Sequence, residues 1–321
     1  MAFLSVRFGL FEVGSVVLVR AVTPVHVGVG RAGGVVDLPV QRDVYGFPAC
    51  GSSGVKGAVR ASLGDDRRVE AVFGPWVEGG GGDEGYYAGA FNVLDLRLLF
   101  FPVRSLRGVY AFVTCPLLLR VFMDYLEAAG SLDADVSGLM DCVKELLGAD
   151  VGEGDVLVES DVFTVNGKVV LNEEFVLTPR RNDGGLSEFR KVLMLGDAYS
   201  GRLMVVCDDV ALGLVERSVQ RVPRLKLEPG AKKVARGALW VEENVPADTV
   251  FHTVFMYSRP RGKGADGLSD AVSVREFVEG HFESRGYYLV IGGNETVGRG
   301  LVKLTFIGGV KVGGGRVAKS S

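Results

Sequence analysis

Three short patterns in this chain have residue types and spacings that could do chemistry. Gly28-Val-Gly30-Arg-Ala-Gly33 carries the glycine spacing of a turn that lays its backbone against a pyrophosphate. Such a turn needs a helix to begin there, with its positive end on the phosphates. The next residues are instead GVVDLPVQRDVYGFP, rich in β-branched residues and broken twice by proline. No acidic residue stands at the offset of about 20 that would hold a ribose. Ser53-Gly-Val-Lys56 has the spacing of an acylating serine and its lysine, yet no Ser-Asp-Asn or Lys-Thr-Gly partner occurs. Gly51-Ser-Ser-Gly54-Val-Lys56 does not meet the spacing of an NTP-cradling loop. His26, His252 and His281 are scattered, and Cys50, Cys115, Cys142 and Cys207 contain no C-x-x-C pair. A zinc cage is therefore not expected. Dispersed thiols of this kind suit a reducing cytoplasm.

The glycines and the charge distribution leave two readings open, recognition of a polyanion or ordinary turns and solvated faces. The 46 glycines among 321 residues are about twice the usual share of ~7%. Glycine loops let backbone N–H groups approach phosphate closely and form anion nests. A helix capped by Ser52 or Ser53, with Lys56 and Arg60 near its start, would point its positive end at the same ligand. Net charge is −3, but it is segregated. Between Asp124 and Asp161 there are eleven acidic residues and one basic, whereas Glu216 to Arg236 holds seven basic and two acidic. One flank avoids a polyanion and the other can meet it. The alternatives are tight turns for the glycines and two solvated faces for the charges.

The elements that must position these residues read as a mixture. The first 22 residues alternate as a strand would, and residues 24–51 form a loop studded with glycine and proline. A short helix runs through Lys56 and Arg60 to Leu63 and stops at Gly64, and another starts at Asp65 or Asp66 and ends near Gly74. Val77 to Tyr87 reads as an exposed loop, and 92–104 and 109–114 as strands. Pro116 opens an amphipathic helix with Leu118, Val121, Phe122, Tyr125 and Leu126 on one stripe. Helices are expected near 138–148, 187–196 and 208–220, and from 273 to 284 behind a capping box of Ser273 with Glu276. The end returns to strands in YYLVIGG and GLVKLTFIG. Without regular βαβ spacing the class is α+β with a mostly antiparallel sheet, in one elaborated domain over 1–321. No stretch approaches the ~18 uncharged apolar residues of a membrane span. Arg7, Glu12 and Arg20 interrupt the start against a signal peptide.

Residues 23–63, TPVHVGVGRAGGVVDLPVQRDVYGFPACGSSGVKGAVRASL, resemble the signature of the RAMP superfamily of CRISPR proteins. In that family a glycine-rich loop leads into a turn and helix similar to Cys50-Gly-Ser-Ser-Gly-Val-Lys-Gly-Ala-Val-Arg60, with Pro and Leu where Cys50 and Gly54 stand here. Leu99-Phe-Phe-Pro-Val-Arg-Ser-Leu-Arg-Gly108, Val113-Thr-Cys-Pro116 and Gly237-Ala-Leu-Trp-Val-Glu-Glu243 resemble the Cmr-type backbone subunit in particular. Gly292-Gly-Asn-Glu-Thr-Val-Gly-Arg-Gly300 resembles the family's terminal glycine-rich loop.

The resemblance implies a ferredoxin-like, RRM-type core elaborated by helical insertions and a thumb-like hairpin, here placed at 216–246. It implies a subunit that stacks head to tail with copies of itself and with other Cmr-type subunits. Its partners would be CRISPR guide RNA and complementary target RNA, read by shape and backbone. By the same resemblance Asp37 is the residue implicated in cutting the target, with Asp43 its nearest competitor. Asp43 is expected instead to pair with Arg42 or a neighbouring subunit. A lone carboxylate on a rigid loop can hold a loosely bound divalent metal, magnesium or manganese, or help take the proton from a ribose 2′-OH. His26 and Glu242 are further catalytic candidates, and Asn244 stands where relatives often carry tyrosine. RNA contacts are expected from Ser52, Ser53, Lys56, Arg60, Arg42, Gly298 and Arg299, and along the thumb from Arg217, Arg221, Arg224, Lys226, Lys232 and Lys233. The alternatives are a non-catalytic RNA-binding scaffold, in which Asp37 only caps a turn, and the equivalent backbone subunit of a Csm-type complex.

Overall fold

The computed structural model describes residues 10–32, 34–75, 87–230, 233–262 and 265–308. Gly33, Lys232, the start of the expected N-terminal strand and most of the expected loop at 77–87 lie outside the described residues.

The chain begins with β1 (Val13–Ala21), then β2 (Ala49–Cys50), α1 (Ser52–Leu63), α2 (Arg68–Phe73), β3 (Phe91–Val93), β4 (Leu96–Ser105) and β5 (Val109–Thr114). Next come α3 (Pro116–Gly130), α4 (Ser137–Leu147), β6 (Asp155–Val158), β7 (Val169–Leu171), β8 (Phe175–Arg181), α5 (Asp183–Val192), β9 (Leu203–Val205) and α6 (Asp208–Ser218). A hairpin of β10 (Gln220–Leu227) and β11 (Val234–Asn244) leads back to β12 (Val250–Tyr257), α7 (Ala271–Ser284), β13 (Tyr288–Val290) and β14 (Leu301–Ile307).

The main sheet runs β13-β14-β1-β12-β4 and continues β4-β5-β9-β6-β8-β7. Ser105 of β4 also pairs with Leu171 of β7, so the last six strands close on themselves into a barrel-like ring. Pairing is antiparallel except for β5 with β9 and β6 with β8. No pattern in residue order marks this ring, because its strands do not pair in chain order and it closes through the Ser105–Leu171 pair.

β1 is buried on both faces rather than alternating as its sequence suggested. Val17 and Val19 enter a core shared with Val55 and Val59 of α1 and with Val274, Val278 and Phe282 of α7. Val16 and Leu18 enter a second core with Leu119, Phe122 and Leu126 of α3. Each such side chain contributes about 1.5–3 kcal/mol by leaving water, so helices on both sides hold the sheet firmly. Leu118 is buried as its helical stripe predicts, whereas Val121 and Tyr125 are half-buried and Leu119 and Met123 lie inside instead.

Helix starts differ from expectation where a side chain other than the expected cap satisfies the first turn. Ser52 and Ser53 do not cap α1; Gly51 occupies that position, and Asp95 from the β3–β4 turn accepts the Ser52 N–H at 2.7 Å. α7 starts at Ala271 behind a capping box of Asp270 with Ser273, not Ser273 with Glu276. Asn182 accepts the Leu186 N–H at the start of α5, which therefore begins earlier than 187. α6 ends at Ser218, so the expected helix over 208–220 gives up its end to β10.

Candidate functional site

Residues 27–32 and 34–41 form the two arms of an arch whose feet join where the Gln41 N–H donates to Val27 O at 2.7 Å. Pro39 can make no N–H bond of its own, but its carbonyl accepts from Val29, and the Asp37 carbonyl accepts from Ala32. The far side of the arch lies along the free edge of β11. The Asp37 and Leu38 N–H groups both donate to Val241 O at 3.1 Å, and Glu243 N–H donates to Leu38 O at 2.9 Å. Asp37 Oδ2 accepts the Val241 N–H at 2.8 Å. Half-buried Asp37 has no ion pair among the described residues, so its second oxygen remains available.

Successive strand residues face opposite ways, and β11 uses this to send two adjacent carboxylates to different neighbours. Glu242, 1% exposed, is reached by Asn294 Nδ2 at 3.2 Å and Asn244 Nδ2 at 3.4 Å, with Arg224 and Arg299 at 3.9 Å. Glu243, 4% exposed, accepts from Val40 N–H at 3.3 Å and from Arg221 Nε at 3.3 Å, with Arg42 at 3.6 Å. Buried carboxylates persist only when paired and hydrogen-bonded, and both of these are. Arginines from the arch, β10 and the terminal loop thereby meet at the foot of the hairpin.

His26 is buried, and its Nδ1 donates to Glu243 O at 2.7 Å. A carbonyl can only accept, so Nδ1 carries a proton in this bond and the ring is held in one orientation. Nε2 lies under Gly28, where any Cβ would come within 2.6 Å of it. The terminal loop closes the other side: Gly293 N–H donates to His26 O at 2.8 Å and Gly300 N–H to Pro24 O at 2.9 Å. Gly292 has φ +79°, and a Cβ there would stand 2.4 Å from His26 O, so both conformation and space demand glycine. Among the expected contacts, Gly298 is exposed and Arg299 half-buried against Glu242.

Gln41 links this region to α1, since its Oε1 accepts the Gly51 N–H at 3.2 Å. Lys56 and Arg60 lie on one face of α1, over a groove shared with Ser53 and Glu70 of α2. Burial, with help from the Arg60 charge, lowers the Lys56 pKa. Ser52 is half-buried and Ser53 exposed. Asp43 pairs with Arg97 at 2.8 Å rather than with Arg42, because its carboxylate is turned inward, where it also accepts from Tyr45 and Phe47 N–H. Arg42 instead pairs with Glu216 at 2.7 Å and donates to Gly46 O. Arg217 pairs with Glu174 and lies over the Phe175 ring, apart from the carboxylates of β11. Lys226 and Lys233 are exposed on the hairpin.

Glu243, Gln41, Asn294 and the Asp43–Arg97 pair were not singled out from sequence. Only the Glu-Glu doublet carried a signal: two adjacent charges in a strand require partners on both faces. Among the described residues no group of three or more His, Cys, Asp or Glu could hold a metal, and no helix is long and apolar enough to cross a membrane.

A family model of the RAMP superfamily matches residues 18–303. The chain is 36% identical over 295 residues to the CRISPR system Cmr endoribonuclease Cmr4 of Pyrococcus furiosus, covering 88% of this chain and 92% of that one. It is 28% identical over 314 residues to the CRISPR system CMR subunit Cmr4 of Saccharolobus solfataricus, covering 90% and 95%. Among solved structures it is similar to a chain of the type III-B Cmr-beta complex bound to cognate target RNA, with TM-score 0.73 and 26% identity over 92% of this chain and 98% of that one. It is also similar to oligomeric Cmr4 from Pyrococcus furiosus, with TM-score 0.66 and 32% identity over 92% and 99%.

Proposed function

This chain belongs to the RAMP superfamily, and from that premise we infer that it is the backbone subunit of a type III-B CRISPR complex and an RNA-guided endoribonuclease within it. The relatives are Cmr subunits, which favours the Cmr over the Csm assignment. The observation that carries the nuclease reading is the arch, which holds Asp37 at the edge of β11 beside a foot crowded with arginine. Guide RNA would run over the glycine loops, Lys56 and Arg60, with copies of the subunit stacked head to tail along it. An open head-to-tail contact suits a filament, and oligomeric Cmr4 supports self-association. The hairpin, with Arg224, Lys226 and Lys233, would serve as the thumb that enters the guide–target duplex. Four dispersed, unpaired thiols agree with a cytoplasmic setting.

The order β14-β1-β12-β4, with α1 following β1 and α7 following β12, supports a ferredoxin-like, RRM-type core. The strands β5 to β9, which close a ring on the core strand β4, would then be the insertion together with their helices.

In the proposed reaction a target ribose 2′-OH loses its proton and attacks the adjacent phosphorus. The 5′-oxygen leaves with a proton, giving a 2′,3′-cyclic phosphate and a 5′-hydroxyl. The second oxygen of Asp37 is the acceptor for the 2′ proton or the protein ligand for a divalent ion. Among the described residues no carboxylate cage surrounds Asp37, and a lone carboxylate fits a hard cation that takes most of its ligands from water and phosphate. When bound, that cation, magnesium or manganese, would neutralise charge on the scissile phosphate. A second reading, a non-catalytic scaffold, is favoured by the bond from Val241 N–H, which gives Asp37 a structural task.

The two separate in complexes assembled with guide RNA and end-labelled target. Asp37→Asn keeps an acceptor for Val241 and loses the charge. Regular cutting by wild type with divalent metal, and none by Asp37→Asn at equal target binding, supports the nuclease. Equal cutting by both makes this subunit the scaffold.

A further inference from the structure

We propose that Glu243 is a positioning residue for target cutting, acting by fixing the arch that carries Asp37. The proposal rests on Asp37 being the cutting residue. The arch cannot orient Asp37 by itself. Within it, the Ala32–Asp37 and Val29–Pro39 bonds join only its own two arms, and Val35 at its tip is 97% exposed. The direct hold on Asp37 comes from Val241; next to it Glu243 holds Leu38 and Val40, and beyond the exit Gln41 ties the chain to Ala49 and Gly51.

Glu243 acts with three separate groups. Its N–H holds Leu38 O at 2.9 Å, immediately after Asp37. Its carbonyl holds His26 Nδ1 at 2.7 Å, at the entry to the arch. Its carboxylate takes the Val40 N–H at 3.3 Å and lies 3.6 Å from Arg42, at the exit. The backbone groups survive any substitution, so the side chain's own task is the exit. Val40 follows Pro39, and without Glu243 its buried N–H would lose its partner, at a cost that favours a shifted arch. Arg221, bound to the other carboxylate oxygen, anchors the side chain to β10. Among the described residues the Glu242 carboxylate has no such contact with the arch: its partners are Asn294, Asn244, Arg224 and Arg299. An ångström of displacement at a reacting group costs up to about a hundredfold in rate, so a loosened exit should be felt at Asp37 before it is felt in RNA binding.

Complexes are assembled with guide RNA and wild-type, Glu243→Ala, Glu243→Gln or Asp37→Asn chains. Three quantities are read: target affinity, the single-turnover cutting rate with target fully bound, and deuterium uptake of peptides spanning residues 26–42. Glu243→Ala should raise uptake in the arch about tenfold and slow cutting about tenfold or more, with target affinity within about twofold of wild type and core peptides unchanged. Glu243→Gln keeps an acceptor for Val40 and loses both ion pairs, so it should fall between wild type and Glu243→Ala in uptake and rate. This isosteric variant carries the test if the alanine chain does not assemble. Wild-type uptake in both variants overturns the positioning claim. Loosened uptake with wild-type cutting, while Asp37→Asn is inactive, overturns the link to cutting. Wild-type cutting by Asp37→Asn overturns the reading of Asp37 itself, and uptake still decides whether Glu243 holds the arch.

Discussion

Glu242→Ala removes a carboxylate that is 1% exposed and leaves Arg224 and Arg299, each 3.9 Å from it, sharing one pocket without a counter-charge. Removing one partner of a buried pair costs about 3–5 kcal/mol. Here the lower end applies, because Arg224 keeps 32% of its side chain in water and both guanidiniums stand at the limit of ion-pair range. An unfolding entropy of ~2.1 cal/mol/K per residue amounts to roughly 0.7 kcal/mol/K for a chain of this length. A loss of about 3 kcal/mol then lowers the melting temperature by about 4–5 °C. Glu242→Gln keeps one acceptor for the asparagines and should lose about half as much. Calorimetry of the purified chain reads both variants, at about 0.15 M and again at about 1 M salt. The loss should persist at high salt, since a buried pair is screened little. A Glu242→Ala chain that melts within about 1 °C of wild type would refute the idea that this carboxylate holds the hairpin to the terminal loop.

Two further outcomes follow from other parts of the molecule. His252 is fully buried between Phe122 and Tyr125 with neither ring nitrogen hydrogen-bonded, and burial followed by the Arg97 charge holds its pKa down at about 3. The unfolded chain binds this proton near pH 6.5 and the folded chain near 3. The stability is therefore fully present above pH 6.5 and is lost, at about 1.4 kcal/mol per unit, as pH falls toward 3. Urea unfolding of wild type and His252→Leu at pH 7 and pH 5 should show the difference between them shifting by about 2 kcal/mol in favour of the variant. Parallel pH curves would dispose of this account. Lys226 is exposed on the hairpin, so Lys226→Ala should weaken target binding similarly for every sequence. It should also reduce the slope of log affinity against log salt by about 0.7–0.9, whereas an unchanged slope would place Lys226 away from phosphate.

The helix of Pro116–Gly130 was legible in sequence because proline fits its first turn and its apolar stripe repeats with the helical period. The resemblance and the basic stretch place a hairpin at 216–246, but which residues pair across β10 and β11 appears only in the fold. Helix starts at Ser52 and Ala271 were misread because the groups that satisfy their first N–H bonds are Asp95, from another turn, and Asp270, just upstream of the residue expected to cap. At the site, Asp37, His26 and Glu242 were named from motif alone. That Asp37 borders β11, that His26 is locked to Glu243, and that Asp43 turns inward to Arg97 could not be read there.

The sequence by itself determined the family, the mixed α+β class and the glycines of the loops, because each depends on local residue order or on a conformation that one residue type allows. Tertiary structure alone decided which charges meet. The arch with His26 and Asp37, Glu243 of β11 and Arg299 of the terminal loop are far apart in the chain and come together only when these three segments dock on one another. The six-strand ring was likewise decided in three dimensions, through the pairing of Ser105 with Leu171. Ion pairs and strand register depend on distance in space, which residue order does not carry until the core has packed.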